Sequence, residues 1–297
     1  MHEHEVDTSA ALVARLIAAQ FPEWANLRLE PVRSTGTDHT LVRLGDEMVV
    51  RLPRVHWALA QLDKERQWLP HLVPHLPVTI PVQLATGEPG EGYPWRWSIC
   101  RWLEGETVTA DSLADPDRAA RDLAQFIGAL QRIDPANGPR PEPGEVDRGL
   151  PLSTRNTRTR DAIAAMGDTI DADAALAAWD AALAAPEWTR APVWFHGDLL
   201  PGNLLFTNDR LSGVIDFGLL GVGDPACDLM IAWNLFSADA RQTFRAALDF
   251  DDATWARGRG WALSQAAIFI PYYLTTNPEG VARARRAIEE VLADART

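Results

Sequence analysis

Residues 193–206 read VWFHGDLLPGNLLF, and residues 214–218 read VIDFG. The apolar pieces at 193–195 and 204–206 have the length and character of short strands flanking a tight loop. Between them stand His196, Asp198 and Asn203, and Asp216 closes a further short strand. A polar group among apolar flanks is costly unless a partner or a function accounts for it. The order is His-Gly-Asp, four residues, Asn, then Asp-Phe-Gly.

Upstream of this stretch the chain changes character. Residues 27–103 contain LRLEPVRS, HTLVRLG, EMVVRLPR and WRWSICRWL, short runs rich in Val, Leu, Ile and Trp. Gly45-Asp46 separates the second from the third and predicts a hairpin turn. Between the third and fourth runs, WALAQLDKERQWLPHL places Trp57, Leu59, Leu62, Arg66 and Leu69 at helical spacing. A small antiparallel sheet with one inserted helix follows. The start of the chain predicts a helix capped by Asp7 or Thr8.

After Gly105 the pattern is helical. DRAARDLAQFIGALQRID puts Leu123, Phe126, Ile127, Leu130 and Ile133 on one face. Residues 134–152 form a Pro/Gly-rich loop, and the Arg-rich residues 153–161 predict a solvated loop leading into a helix. The fold class is α+β with two lobes: residues 1–99 β-rich, 100–105 a hinge, 106–297 helical. Clefts between lobes favour ligands.

Composition bounds the reading. The 297 residues carry 41 Asp and Glu against 28 Lys and Arg, a formal net charge of −13. Nucleic acid wants a basic surface and is excluded as a partner. The balance is compatible with a cationic ligand, although many proteins are simply acidic. Cys100 and Cys227 make neither a disulfide framework nor a thiolate metal site, which fits a reduced, cytoplasmic setting. The start has no signal-peptide pattern, and no run reaches the ~18 apolar residues of a membrane span. The longest apolar stretch, AAIFIPYYL, is broken by Pro271.

The string HGDLLPGN followed by IDFG resembles the catalytic loop and Asp-Phe-Gly metal site of the protein kinase fold. Gly197, where protein kinases use Arg, makes it similar to the aminoglycoside phosphotransferase and related small-molecule kinase family. The resemblance covers about residues 29–290. It implies transfer of the γ-phosphate of ATP or GTP, with Mg²⁺, to a hydroxyl of a small molecule, an aminoglycoside antibiotic first among them. Macrolide, peptide-antibiotic, homoserine-like or choline-like acceptors are alternatives. Related macrolide kinases often carry His where this chain has Asn203.

The chemistry suits the residue types. Phosphoryl transfer needs a carboxylate beside the attacking hydroxyl and hard oxygen ligands for magnesium. Asp198 is the catalytic residue, His196 holds the loop by hydrogen-bonding backbone, and Asn203 and Asp216 are metal ligands. On the nucleotide side, Arg51 stands in the third strand where the family's basic residue is expected, with Glu65 on the helix to hold it. The chain's only lysine is Lys64, and Arg grips phosphate with a different reach and geometry. Ser34, Thr35, Gly36 and Thr37 form a thin phosphate loop, and Arg101 and Leu103 meet the nucleobase edge. Asp228 is expected to brace the catalytic loop. Acceptor-pocket candidates are Asp224, Trp233, Asp251, Asp252, Tyr272 and Tyr273. Two readings compete: a nucleotide-binding protein without transfer, and a hydrolase binding one metal through His196, Asp198 and Asp216.

Overall fold

The computed structural model describes residue 6 and residues 8–32, 38–144 and 147–296. Five strands, β1 (Leu29–Pro31), β2 (His39–Leu44), β3 (Met48–Pro53), β4 (Gln83–Gly87) and β5 (Trp97–Arg101), pair antiparallel in the order β1-β2-β3-β5-β4. Leu44 lies opposite Met48 across the turn, where Gly45 adopts φ +61°, a left-handed conformation that costs glycine little. One face of the sheet buries Val42, Leu44, Val50, Leu52, Trp97 and Ile99 against Leu12, Val13, Leu16 and Ile17 of α1 (Ala10–Gln20). Each such side chain contributes roughly 1.5–3 kcal/mol of burial free energy. Strict alternation sends Arg51 to the opposite face of a central strand.

Two expectations shift here. The helix α1 is capped by Ser9, whose Oγ accepts the Leu12 N–H at 3.4 Å; Thr8 instead meets the Thr40 hydroxyl at 2.6 Å, and Asp7 lies outside the described residues. The inserted helix α2 (Ala58–Leu72) buries Ala58, Leu62, Glu65, Leu69 and Leu72, while Trp57 is 49% exposed. The buried stripe is rotated from the predicted one because Glu65 turns inward to meet Arg51.

The remainder is mostly helical: α3 (Pro116–Arg132), α4 (Asn156–Met166), α5 (Ala172–Ala184), α6 (Ile231–Leu235), α7 (Ala238–Ala246), α8 (Asp252–Tyr273) and α9 (Pro278–Asp294). The short strands β6 (Glu106–Thr107), β8 (Leu204–Thr207) and β9 (Arg210–Val214) form one sheet, and β7 (Val193–Phe195) pairs with β10 (Gly221–Gly223). Asp115 caps α3 by accepting from the Arg118 N–H at 2.9 Å, with Pro116 at the first helical position. Its face of Leu123, Phe126, Ile127 and Leu130 is buried as the periodicity predicts. The helix α8 runs on through Pro271, placed in its last turn, rather than breaking there.

The inserted helix belongs to both halves. Leu69 and Leu72 of α2, and Ile80 beyond it, lie in the larger core with the α3 and α8 side chains. Thr79 donates its N–H to Ser212 and accepts from the Val214 N–H, both at 3.0 Å, and so joins the edge of β9. Both cysteines are buried and free. Among the described residues no helix is long and apolar enough to cross a membrane.

Candidate active site

The loop after β7 is held by hydrogen bonds from three directions. Asp228, fully buried in the 3₁₀ turn over Pro225–Met230, accepts the His196 N–H at 2.8 Å and the Gly197 N–H at 2.7 Å. His196 donates from Nε2 to the Ile215 carbonyl at 3.0 Å and accepts the Asp198 N–H on Nδ1 at 3.1 Å. Both ring nitrogens are therefore used on backbone. Burial lowers the His196 pKa to about 4, so the ring stays neutral. No nitrogen is left for a metal, which removes the single-metal hydrolase reading. Gly197 adopts φ +86°, and a Cβ there would lie 2.4 Å from the Leu219 carbonyl oxygen. The Gly of His-Gly-Asp is thus a steric requirement.

These constraints aim Asp198 into the cleft. Its Oδ2 accepts from Asn203 Nδ2 at 3.1 Å, and its Oδ1 lies 3.5 Å from Arg148 Nη2. Burial raises its pKa above the ordinary carboxylate value, against the opposing pull of Arg148 and Asn203. Arg148 also donates from Nε to the Gly197 carbonyl and from Nη2 to Gln265 Oε1 at 2.9 Å.

Asp216 is brought beside Asn203 by the Ile215 N–H bond to the Asn203 carbonyl, 2.9 Å. Its backbone is left-handed at φ +65°, a strained state for Asp that turns the chain into Phe217-Gly218. Burial first, then Glu65, Asp198 and Asp38, push its pKa up to about 7, although Arg51 pulls it down. Asn203 spends its Nδ2 on Asp198, at the carbonyl (2.8 Å) and the carboxylate, which leaves Oδ1 as its acceptor. An amide oxygen and a carboxylate, crowded by further carboxylates, suit a hard divalent cation that takes its remaining ligands from phosphate and water. Among the described residues no three His, Cys, Asp or Glu gather as a metal cage.

Glu65 links the sheet to this site. Its Oε2 accepts from Arg51 Nη1 at 2.6 Å, and its Oε1 accepts the Phe217 N–H at 2.9 Å. Burial opposes the charge on Arg51, yet Glu65, Cys100 and Asp216 keep its pKa above the usual guanidinium value. Arg51 is buried on a central strand against Glu65 of α2, not a surface cation on an edge.

Arg51, Arg101, Leu103, Asp198, Asn203 and Asp216 line one cleft of about 750 Å³. Arg101 commits its N–H to the Val82 carbonyl at 2.9 Å. Ser34, Thr35, Gly36 and Thr37 lie outside the described residues.

Several acceptor-pocket expectations are corrected. Asp224 is buried, accepts from the Ala226 N–H and pairs with Arg257 at 2.8 Å, so it ties α8 to the 3₁₀ turn. Trp233 is buried against Trp255 in the core, with centroids 5.0 Å apart. Asp251 caps α8 by accepting the Thr254 N–H at 2.7 Å. Asp252 is exposed and pairs with Arg245 at 2.6 Å. Tyr272 faces outward at 61% exposure, whereas its neighbour Tyr273 lines the cleft. Helical rotation separates the two tyrosines by about 100°.

The sequence reading missed other residues of the cleft: Asp38, Arg148, Gln265, and Arg155 and Arg158 of the segment expected to be solvated. Asp38 sits where β2 begins and accepts from Gln61 at 3.2 Å. A cluster of arginines near a Pro/Gly-rich loop is a weak signal on its own, since most such clusters are solvated.

The profile of the phosphotransferase enzyme family matches residues 8–261. Among solved structures, the GDP complex of wild-type aminoglycoside 2'-phosphotransferase-IIIa superposes with a TM-score of 0.77 at 21% identity, covering 97% of this chain and 100% of that one. The apoenzyme of macrolide 2'-phosphotransferase MphH from Brachybacterium faecium gives 0.59 at 24% identity, covering 96% and 98%. A GDP and kanamycin complex of APH(2")-IIia gives 0.75 at 21%, covering 95% and 98%. No curated protein matches the sequence. The structural likenesses carry the bilobal, kinase-like fold.

Proposed function

Because the chain belongs to the phosphotransferase enzyme family, we propose that it moves the γ-phosphoryl group of ATP or GTP to a hydroxyl of a small molecule seated in the cleft, with Asp198 facing that hydroxyl. One observation carries the assignment of roles: Asp198, Asn203 and Asp216 share a cleft with Arg51, and Glu65 joins Arg51 to the Asp-Phe-Gly turn.

The chain's own residues then divide the work. Arg51 neutralises charge on the nucleotide phosphates, and Glu65 fixes its direction. The segment around Arg101 and Leu103 borders the nucleobase. Asn203 and Asp216 would hold Mg²⁺, which supplies charge neutralisation on the phosphates. Asp198 accepts a hydrogen bond from the acceptor hydroxyl and sets its angle of attack. The acceptor oxygen bonds to the γ-phosphorus, its proton passes to the Asp198 carboxylate, and the bond to the β-phosphate oxygen breaks with release of the nucleoside diphosphate. Positioning and electrostatics supply most of the rate. Aminoglycosides and macrolides, the substrates after which the structurally similar enzymes are named, belong in the first acceptor panel.

The test is transfer from γ-labelled ATP or GTP with Mg²⁺. Asp198→Asn is expected to lower kcat by about 10²–10⁴-fold. Absence of transfer from either nucleotide, together with no nucleotide binding by calorimetry, would defeat the reading.

A further inference from the structure

The carboxylate of Asp198 is gripped from outside its own loop. Arg148 belongs to the Pro/Gly-rich loop over residues 134–152 and stands 50 residues before Asp198 in the chain. Its Nη2 lies 3.5 Å from Asp198 Oδ1, and its Nε donates to the Gly197 carbonyl. Asn203 Nδ2 holds the other oxygen, Oδ2, at 3.1 Å. Each carboxylate oxygen therefore has a donor from a different segment, and the two donors together fix the plane of the group. The backbone of the loop is secured by Asp228 and the His196 ring. The Asp198 side chain depends on Asn203 and Arg148.

Arg148 is itself held in place. Its Nη2 also donates to Gln265 Oε1 at 2.9 Å, and its guanidinium carbon lies 5.1 Å from the ring centroid of buried Trp261. Trp261 and Gln265 stand four residues apart on α8 and so share one helical face. The segment that carries Arg148 is docked on the strand leading into the catalytic loop. A Cβ on Gly149 would lie 2.2 Å from Phe195 Cε1 of β7, and the Gly149 carbonyl accepts the Asp224 N–H at 3.1 Å. The Arg148 side chain is 6% exposed and that of Asp198 22%, so the carboxylate is the more open of the two to the cleft. An Asp χ2 torsion has broad wells. A carboxylate released on one side can turn, and a misplacement of about 1 Å at a reacting group costs about 10²-fold in rate.

Resting on the phosphoryl-transfer reading above, we propose that Arg148 is a positioning residue for that reaction: it holds Asp198 Oδ1 so that the carboxylate meets the acceptor hydroxyl along the line of attack. Arg148 exchanges no proton. The hydroxyl oxygen gains the phosphoryl group, its proton goes to Asp198, and the nucleoside diphosphate leaves with the electron pair. Gln265 acts one step further out, by aiming the Arg148 guanidinium.

A double-mutant cycle separates positioning from scaffolding. Transfer is followed from γ-labelled Mg·ATP or Mg·GTP to water, and to any acceptor the panel yields, on wild type, Arg148→Ala, Asp198→Asn and the double variant. Arg148→Ala lowers kcat about tenfold to a hundredfold, while calorimetry with Mg·ADP gives an unchanged Kd. In the Asp198→Asn background the same substitution costs about twofold or less, because the carboxylate it serves is gone. Gln265→Ala repeats the pattern with a smaller loss, and carries the test if Arg148→Ala does not fold. Equal losses in the two backgrounds, a kcat like that of wild type, or a loss of Mg·ADP affinity in step with kcat overturns the positioning role and leaves nucleotide transfer standing. A wild type that binds Mg·ADP but transfers to nothing gives Asp198 no step to serve and overturns it too. A wild type that does not bind Mg·ADP and transfers to nothing overturns the phosphoryl-transfer reading as well.

Discussion

His196 and Gly197 show how much of a catalytic loop is backbone engineering. His196 is neutral because both its nitrogens serve main-chain groups in a buried place, and this has a sign in pH. Its pKa is about 4 when folded, below the ordinary 6.5. Between these values the unfolded chain binds the proton more strongly, so the contribution is full above pH 6.5 and is lost as pH falls toward 4. The loss reaches about 3 kcal/mol. Buried Asp216 and Asp228, with pKa values raised to about 7, titrate the opposite way over part of this range. Subtracting the stability curve of His196→Gln from that of wild type, by denaturant unfolding at pH 6.5, 5 and 4, isolates the imidazole. A flat difference would contradict the assignment. Gly197→Ala forces a Cβ against the Leu219 carbonyl at a positive φ. It is expected to cost roughly 2–4 kcal/mol, read as a lower thermal midpoint.

At the scale of elements, α2 carries most of the coupling. Its Glu65 receives the Arg51 guanidinium with one oxygen and the Phe217 N–H with the other. Glu65→Gln keeps an amide oxygen for Phe217 and removes the charge that balances buried Arg51. Breaking one half of a buried pair costs about 3–5 kcal/mol, and kcat/KM for nucleotide is expected to fall about tenfold or more. Steady-state kinetics and urea denaturation check the two together, and unchanged kinetics would remove Glu65 from the site. The same helix shows where sequence is a poor guide. The strands around Arg51 were legible because Val50 and Leu52 alternate with it, and α3 because its apolar residues recur at 3.6. The apolar stripe of α2 was not, because buried Glu65 interrupts the hydrophobic pattern; its inward turn was legible only through the resemblance, which pairs it with Arg51 fourteen residues away. The catalytic string was legible because its residue types and spacing are contiguous in sequence, even though His196 and Asp198 also find partners as distant as Asp228 and Arg148. The arginines of the cleft beyond Arg51 and Arg101 were not, since Arg148, Arg155 and Arg283 come from three segments that tertiary packing brings to one cleft.

For the whole molecule, net charge and the lining of the cleft are separate quantities. The chain is acidic overall, whereas its described cleft lining includes Arg51, Arg101, Arg148, Arg155, Arg158 and Arg283 beside Asp38, Asp198 and Asp216. That arrangement sets affinity and approach against each other. An anion bound among arginines is loosened by salt, because screening weakens the contact. The same anion arriving from solution first meets the field of a chain at −13, which extends about 10 Å at 0.1 M ionic strength. Salt screens that barrier as well. In stopped-flow measurements from about 0.02 to 0.15 M salt, a range over which the screening length shrinks from more than 20 Å to about 8 Å, the association rate for ATP is expected to hold or rise while the dissociation rate climbs. An association rate that falls steeply would mean that the arginines, and not the acidic envelope, govern approach. On the phosphoryl-transfer reading, an anionic nucleotide meets the acidic envelope of the chain first and the Arg51 guanidinium last.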